Sequence, residues 1–460
     1  MIFLYKNKDS YMNNKRILVI SSYSPSYSGG LGSDIINAFQ NEKYEVDYLS
    51  IELDKRRKEV KATNIDRLKV QIRNIAFKQK HLSKFYHKLS SIKNYIKFMK
   101  RPYLRPIITN SGISIHYPFE DTPPFEIKKI LEEINKPYDI VITLFWHLYI
   151  NSTTLKAIYD KLKCPVLIYA IDMAPFTGGC FYFNDCRNFS KECINCPAEP
   201  KYMKLQCHKN YLIKKHNYSN MTCAFLSNSW VNQFALKSNL FDKNQIKKIG
   251  FIVDEDKYRI DNNIELINIY NLQHNDLILL MRSSDAPRKG CDYIVNSISR
   301  LYYTLNSDER NKFKIITVGD DYIQNKLSPL GITIINLGKV SFNKLIEAYH
   351  VSSFFLSASI DDAGPSMINQ SIMCGTPVVS FNTGCAIDVV INETSGFITN
   401  DISEEEFLKT LTNAYYYFKS CNYKLLREKT KIFGLSTSSK KAIARKMIEI
   451  AENISKRDHD

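Results

Sequence analysis

Asp362 and Gln370, eight positions apart, are the polar side chains of this sequence whose surroundings suggest ligand chemistry. The apolar runs FFLSAS and TPVVSF on either side predict two buried strands, with a polar loop and a short helix between them. Free backbone N–H groups point out of the first turn of such a helix, so the amides of Gly364, Ser366 and Met367 predict an anion site. Asp362 and Gln370 would reach hydroxyls of a ligand whose phosphates the loop holds. Phosphates and hydroxyls together indicate a nucleotide sugar.

Composition limits the classes of protein to which the chain can belong. It has 460 residues, 44% hydrophobic and 24% charged, which predicts a globular protein with two domains of roughly 200 residues. No run of about 18 apolar residues and no signal-peptide pattern are visible, so we expect neither a membrane span nor secretion. The eleven cysteines then indicate a reduced, cytosolic protein rather than a secreted disulfide scaffold.

Most of the net charge of +16 lies in one segment, since residues 54–105 contain 17 Lys and Arg but 3 Asp and Glu. Apolar residues recur there at near-helical spacing, for example Ile65, Leu68 and Ile72. A basic amphipathic helix suits an anionic membrane surface, because each basic residue near the headgroups contributes about 1 kcal/mol. Residues 55–105 therefore predict a membrane-binding segment, with a solvated helical insertion as the alternative. Nucleic acid is disfavoured because no nucleic-acid-binding motif accompanies the charge.

Strands and helices alternate in the first half of the chain, which predicts a parallel α/β sheet. Functional residues of such sheets gather at the carboxyl ends of the strands. Gly29 and Gly30 follow the first strand of this sheet, RILVISS, but lack the spacing of a dinucleotide-binding fingerprint. His147 and Asp172 follow two later strands. A lone histidine there is more often structural, so Asp172 is the stronger candidate for lining a cleft.

Residues 178–207 form a cysteine-rich insertion that has little apolar content. Cys180, Cys186, Cys193 and Cys196 include a C-x-x-C pair, and four thiolates around zinc would hold such a loop together. This zinc would be structural, because four protein ligands leave no open position for chemistry. The spacing is not that of a standard zinc ribbon, so free or partly paired cysteines are the alternative.

The polar stretch near residues 255–275 predicts a linker between two α/β domains. We assign residues 1–262 to the first domain, 263–435 to the second and 436–460 to a C-terminal helix. That last helix is predicted from Ser436 to about Ile454.

These two domains, with RKG after the first strand of the second and CGTPVV near its end, resemble the retaining glycosyltransferases of family 4. The resemblance covers most of the chain. It implies the GT-B fold, in which two Rossmann-like α/β domains face a central cleft. It also implies that the C-terminal helix packs back on the N-terminal domain.

The resemblance also implies roles for individual residues. Lys289, in the loop DAPRKG, corresponds to a lysine that contacts the donor diphosphate, and Arg282 or Arg288 would assist it. Asp362 and Gln370 hold the positions of two acidic residues that bind the donor sugar and ribose. No cofactor is expected for catalysis, because cationic side chains and helix N-terminal amides can take the charge of the leaving phosphate without a metal.

A second string narrows the resemblance to one group of enzymes. IDMAPFTGGCFYFNDC, with a later C-x-x-C-P, is similar to HDMWPFTGGCHY of the colanic-acid type of bacterial surface-polysaccharide glycosyltransferases. The chain departs from that string at Ile171, Ala174 and Phe181, where the family has His, Trp and His. Asp172 and His147 remain as polar groups on the acceptor side, together with the glycine loop, and Asp172 joins Lys289 and Asp362 as candidate catalytic residues.

The implied activity is that of a retaining, hexosyltransferase-type enzyme. It would move a sugar from a UDP- or GDP-sugar to a polysaccharide or lipid-linked saccharide during capsule, exopolysaccharide or O-antigen biosynthesis. The expected location is the cytoplasm, peripheral on the inner face of the plasma membrane. Because Gln370 is neutral, a catalytically silent homologue that binds a sugar nucleotide or an assembly partner is the alternative. A scaffolding protein that uses only the basic segment is a third hypothesis.

Overall fold

The protein contains two α/β domains, each built on a sheet of mainly parallel strands. The computed structural model describes residues 2–5, 15–27, 30–52, 107–108, 114–115, 119–145, 149–198, 205–258 and 265–456. Gly29, His147 and the basic segment 55–105 lie outside the described residues. What the sequence predicts for them stays a prediction.

The strands are numbered in chain order. They are β1 (Phe3–Tyr5), β2 (Arg16–Ser21), β3 (Glu45–Ser50), β4 (Ile107–Ile108), β5 (Ser114–Ile115), β6 (Ile140–Thr143), β7 (Val166–Tyr169), β8 (Cys180–Tyr182), β9 (Cys223–Ser227), β10 (Ile246–Lys248), β11 (Leu277–Ser283), β12 (Phe313–Gly319), β13 (Thr333–Asn336), β14 (Phe354–Ser357), β15 (Val378–Ser380) and β16 (Gly396–Ile398).

The α-helices of the described residues follow the same scheme. They are α1 (Leu31–Asn41), α2 (Ile127–Glu133), α3 (Ser152–Leu162), α4 (Gln206–Ser219), α5 (Ser229–Lys237), α6 (Glu265–Ile269), α7 (Cys291–Thr304), α8 (Ser307–Lys312), α9 (Tyr322–Leu327), α10 (Phe342–Val351), α11 (Ser366–Met373), α12 (Ala386–Val389), α13 (Glu404–Phe418), α14 (Tyr423–Ser438) and α15 (Lys440–Lys456). Within the described part of the chain, none of these helices is long and apolar enough to cross a membrane.

The first sheet has the strand order β1-β3-β2-β6-β7-β9-β10, and only β1 runs antiparallel to its neighbour. Successive side chains of a strand point to opposite sides of the sheet, and in the central strand β2 both sets are buried. Ile17 and Val19 belong to the core cluster that includes residues of α1 and α15. Leu18 and Ile20 belong to the cluster on the opposite face. A continuous apolar run is therefore what a central parallel strand requires.

The second sheet has the order β13-β12-β11-β14-β15-β16, with all strands parallel. Its neighbours β11 and β14 end in the loops that contain Lys289 and Asp362. A third, small antiparallel sheet joins β4, β5 and β8. It places the segment that follows the basic residues beside the start of the cysteine-rich insertion.

Helix α15 returns from the second domain and packs on the first, as predicted. Ile443, Met447 and Ile450 are buried in one cluster with Ile17 and Val19 of strand β2. The first core is thus completed by residues that lie more than 400 positions away in the sequence.

Helix α14 was not predicted from the sequence, which indicated a single final helix beginning at Ser436. The structure has α14 ending at Ser438 and α15 beginning at Lys440. The buried positions of α14 are Leu426, Thr430, Gly434 and Ser438, so small and polar residues occupy most of its packed face. An apolar periodicity, the main sequence indicator of a helix, is therefore weak there.

Truncation of Met447 tests this packing. The Met447→Ala variant should lower the free energy of unfolding by about 2–5 kcal/mol, because it leaves a cavity in the core of the first domain. Lys446→Ala is the matched control, since Lys446 is exposed on the same helix and its loss should cost less than about 0.5 kcal/mol. Urea unfolding of both variants measures the difference. Equal midpoints would contradict the packing of α15 on the first domain.

Candidate active site

A cavity of about 290 Å³ lies between the two domains, where the carboxyl ends of strands from both sheets face each other. The first domain lines it with Tyr27, Phe145, Ile171, Tyr182 and Phe251. The second domain lines it with Arg282, Arg288, Lys289, Ile294, residues 355–359, Asp362 and residues 364–367. One wall is thus mainly aromatic and apolar, and the opposite wall carries the charges.

Two loops of the second domain approach each other closely, and Gly290 makes this approach possible. Gly290 has a φ of 64°, and a Cβ atom there would lie 1.9 Å from the carbonyl oxygen of Ala358. The N–H of Ile360 donates to the carbonyl oxygen of Arg288 at 2.9 Å. Any side chain at position 290 would push the loops apart. The loop that follows β11 therefore lies against the loop that follows β14.

This approach brings two cations to one buried carboxylate. Lys289 Nζ and Arg288 Nη1 both donate to Oδ2 of Asp362, the arginine at 3.2 Å. The N–H of Gly364 donates to the other carboxylate oxygen at 3.2 Å. Asp362 is 4% exposed, so its charge depends on these three donors rather than on water.

The pKa values of Asp362 and Lys289 depend on two opposing effects, burial and the charge of nearby groups. Burial alone would raise the pKa of Asp362, but Lys289, Arg288 and the Gly364 amide outweigh it and hold that pKa below its ordinary value. Burial lowers the pKa of Lys289, and the Asp362 carboxylate opposes that decrease. The geometry therefore favours an ionised carboxylate between charged lysine and arginine side chains.

Helix α11 begins at the floor of the cavity, with Pro365 as its N-cap residue. Gly364, Ser366 and Met367, the residues of the predicted anion site, line the cavity. The Gly364 amide is engaged with Asp362, whereas Ser366 and Met367 belong to the first helical turn, whose amides have no intrahelical acceptor. The helix dipole adds a partial positive charge beside the two cations.

Two residues of the first domain reach across to this charged wall, and sequence reasoning missed them. The Tyr182 ring lies 4.0 Å from the Arg288 guanidinium, in a cation–π contact. The N–H of Asn184 donates to Oδ2 of Asp361 at 2.8 Å. Burial raises the pKa of Asp361 to about 6, and its other oxygen is buried with no hydrogen-bond partner among the described residues. In the sequence, only the position of Asp361 next to Asp362 indicated that Asp361 could lie at this site.

Asp172 and Gly30, predicted for the acceptor side, do not line the cavity, although Tyr27 and Ile171 close to them in sequence do. Asp172 is buried, its Oδ1 accepts from the N–H of Ala174 at 2.9 Å, and burial raises its pKa to about 6. Gly30 is the N-cap residue of α1, with a φ of 91°.

Gln370 is also absent from the cavity lining. It lies in the middle of α11, 6% exposed, and its Oε1 accepts from the hydroxyl of Tyr349 at 3.0 Å. Burial raises the pKa of the nearby Tyr258, and the Gln370 amide opposes that rise. The side chain therefore bridges two buried tyrosines, and its contact with a ribose stays a prediction.

The four predicted zinc ligands lie close together. Cys180, Cys186, Cys193 and Cys196 line one narrow cavity with Cys207, and Cys180 shares a hydrogen bond with Cys196. Burial raises the pKa of Cys193 to about 12, so the thiol is neutral in the absence of a metal. The donor chemistry fits a soft metal ion, although no three His, Cys, Asp or Glu side chains of the described chain yet share a metal-binding geometry.

Neutralising the two adjacent carboxylates tests the electrostatics of the site. The Asp362→Asn variant should lose about 3 kcal/mol of unfolding free energy, because the partly buried Lys289 and Arg288 lose their counter-charge. The pKa of Asp362 lies below its ordinary 3.8, so its contribution is present above pH 3.8 and lost as the pH falls through the folded-state value. The loss should thus be equal at about pH 5 and about pH 7.

Asp361→Asn is the matched control, because the pKa of Asp361 is shifted in the opposite direction. Its folded-state pKa is about 6, so the wild type loses stability as the pH rises from 3.8 to about 6, and the variant does not. The stability of Asp361→Asn relative to the wild type should therefore rise over that window. Urea unfolding across the window measures both effects, and identical pH profiles for the two variants would contradict the assignment.

Comparison with solved structures identifies the fold. The protein is similar to a glycosyltransferase from Rickettsia africae, at 17% identity and a TM-score of 0.60, covering 96% of this chain and 99% of that one. It is similar to Anabaena HepE in complex with UDP and glucose, at 12% identity and a TM-score of 0.56, covering 96% and 100%. It is also similar to WaaG, a glycosyltransferase involved in lipopolysaccharide biosynthesis, at 13% identity and a TM-score of 0.53, covering 95% and 99%.

A family model agrees with this likeness over part of the chain. Residues 262–415 match the model described as glycosyl transferases group 1, and this segment contains the whole charged wall of the cavity. No curated protein sequence matches the chain. The chain therefore has the GT-B fold, and its second domain carries a group 1 glycosyltransferase segment.

Proposed function

We propose that this protein transfers a sugar from a nucleoside-diphosphate donor to a saccharide or lipid-linked saccharide acceptor, with retention of configuration. The observation that carries the proposal is the cluster of Lys289, Arg288 and Asp362 beside the N-terminus of α11, in the cavity between the two domains of the GT-B fold. The match of residues 262–415 to group 1 glycosyltransferases supports the same activity.

The charged wall suits the departure of a nucleoside diphosphate. When the bond between the sugar and the β-phosphate breaks, negative charge grows on the phosphate oxygen. Lys289 and Arg288 supply positive charge, and the first-turn amides of Ser366 and Met367 supply further hydrogen-bond donors. Arg282 lines the same cavity and adds a third cation. This stabilisation requires no metal ion in the reaction.

The acceptor enters, in this proposal, between the charged wall and the aromatic wall of the first domain. Tyr27 and Phe145 present ring faces and edges there, with ring centroids 5.4 Å apart. Asp172 stays a predicted catalytic residue on this side, although its buried carboxylate accepts from the N–H of Ala174 and does not line the cavity. Retention through front-face attack, assisted by the leaving phosphate, is carried by the resemblance to family 4.

The donor to examine first is a UDP-sugar, because HepE, which has a similar fold, binds UDP and glucose. GDP-sugars are the second class. A role in surface-polysaccharide biosynthesis is supported by the resemblance of the IDMAPFTGGC segment and by the likeness to WaaG. Under this proposal the basic segment 55–105 holds the protein on the inner face of the plasma membrane, near a lipid-linked acceptor.

Replacement of Lys289 tests the activity. With a donor identified by thermal shift across UDP- and GDP-sugars, Lys289→Ala should lower kcat/KM for transfer or donor hydrolysis about 100-fold or more, because it removes positive charge from the leaving phosphate. Lys312→Ala is the control, since Lys312 is exposed at the end of α8 in the same domain. Rates that are equal in the two variants would refute the role of Lys289. Donor binding without turnover by wild type would instead favour a silent homologue, a reading that the neutral Gln370 supports.

Gln370 provides a second test of the donor site. If the side chain reaches the ribose, Gln370→Glu should tighten donor binding about fivefold, because a carboxylate accepts hydrogen bonds from both hydroxyls with charge assistance. Isothermal titration of the donor into both proteins measures the change. Tyr349→Phe is the companion variant, since it removes the hydroxyl that donates to Gln370 and should leave donor affinity unchanged. An unchanged Kd in Gln370→Glu would restrict Gln370 to the packing of the two tyrosines.

A further inference from the structure

The cysteine-rich insertion contains a pocket that the proposed sugar transfer does not use. The side chains of Cys180, Cys186, Cys193 and Cys196 line a cavity of about 10 Å³, together with Cys207. That volume is about what one water-sized particle needs. All eleven cysteines lie within the described residues, and none of them forms a disulfide. The pocket therefore offers thiols around the space of a single ion.

Backbone amides already point at two of the sulfur atoms. The N–H of Gly178 donates to Cys193 Sγ at 3.1 Å, and the N–H of Asn188 donates to Cys186 Sγ at 3.5 Å. Such hydrogen bonds favour a negatively charged sulfur, since a charged acceptor binds a donor more strongly than a neutral one. The backbone thus presents the surroundings that metal-bound thiolates need.

The backbone around the C-x-x-C pair is also unusual. Glu192, Cys193 and Asn195 have φ values of 56°, 55° and 56°, in the left-handed region that non-glycine residues rarely adopt. His208 Nδ1 lies 2.8 Å from the carbonyl oxygen of Glu192 and ties this turn to α4. Each strained residue costs on the order of 1 kcal/mol and persists only where other interactions fix the turn. A bound ion would supply such an interaction.

We propose that Cys180, Cys186, Cys193 and Cys196 bind one Zn²⁺ as four thiolates, and that this ion fixes the loop that contacts the charged wall. Binding would release the thiol protons to solvent and involves no oxidation or reduction. Since no three ligands yet share a metal-binding geometry, the ion would draw the thiols inward. Zinc suits four sulfur ligands in a tetrahedral arrangement, and a closed set of four makes it structural.

The zinc site reaches the proposed donor site through a few residues. Tyr182 and Asn184 lie between Cys180 and Cys186, and they contact Arg288 and Asp361 across the cleft. Phe183 between them packs parallel to the Trp230 ring, with centroids 6.4 Å apart and an interplanar angle of 14°. Loss of the ion should therefore loosen contacts at the charged wall. Only the effect on donor binding rests on the proposed function.

Metal analysis of the purified full chain tests the site without any assay of activity. Wild type should contain about one zinc per chain, released by a mercurial reagent that blocks thiols. Cys196→Ser should lose the zinc, and Cys196→His should keep it, because imidazole is also a zinc ligand. Cys421→Ser is the matched control, since Cys421 is exposed and outside the cluster, and it should retain full zinc content.

Fluorescence of Trp230 measures the conformation of the cysteine-rich loop independently of the metal analysis. In a Trp146→Phe background Trp230 is the single tryptophan, and removal of zinc should shift its emission as Phe183 moves. Three results for the wild type would overturn the proposal. They are less than about 0.1 zinc per chain even after incubation with ZnCl₂, binding of iron instead of zinc, and disulfides among the four cysteines. Equal zinc content in Cys196→Ser and Cys421→Ser would overturn it as well. If zinc is present but no nucleotide sugar binds, the metal site stands and the proposed function fails.

Discussion

The site depends on one interaction, the burial of the Asp362 carboxylate between Lys289 and Arg288. Burying the carboxylate, and partly burying two cations beside it, is costly, so the cluster requires short contacts and full hydrogen bonding. Gly290 is needed because only a residue without a Cβ lets the two loops meet. The parallel pairing of β11 and β14 then sets where those loops begin.

The same cluster organises the closure of the cleft. Tyr182 covers the outer face of Arg288, and Asn184 donates to Asp361, so the first domain meets the second at the charged wall. A second set of contacts links the domains at Asp388, which accepts hydrogen bonds from Ser229. Apolar contacts cross the same boundary, since Ala363 lies in a core cluster of the first domain and Val253 and Tyr258 lie in one with residues of the second.

The sequence predicted the parts of the molecule that local patterns determine. Apolar runs identified the parallel strands, and the loop before Ser366 identified the helix N-terminus, because strand burial and helix capping act over a few residues. Tyr182 and Asn184 escaped notice, since their roles exist only once two domains meet. The burial of Gln370 depends on Tyr349 from another helix and was equally invisible. Helix α14 was missed because Gly434 and Ser438 occupy its packed face.

The position of Asp362 explains how a buried lysine can stay charged. Burial lowers the pKa of Lys289, and without a nearby anion the side chain would tend to lose its proton. Asp362 opposes that loss, and the lysine in turn keeps the carboxylate ionised. In the proposed reaction a diphosphate would enter beside this pair and share Lys289 with Asp362. The carboxylate thus costs the site part of its positive charge but preserves the protonated lysine that the leaving phosphate needs.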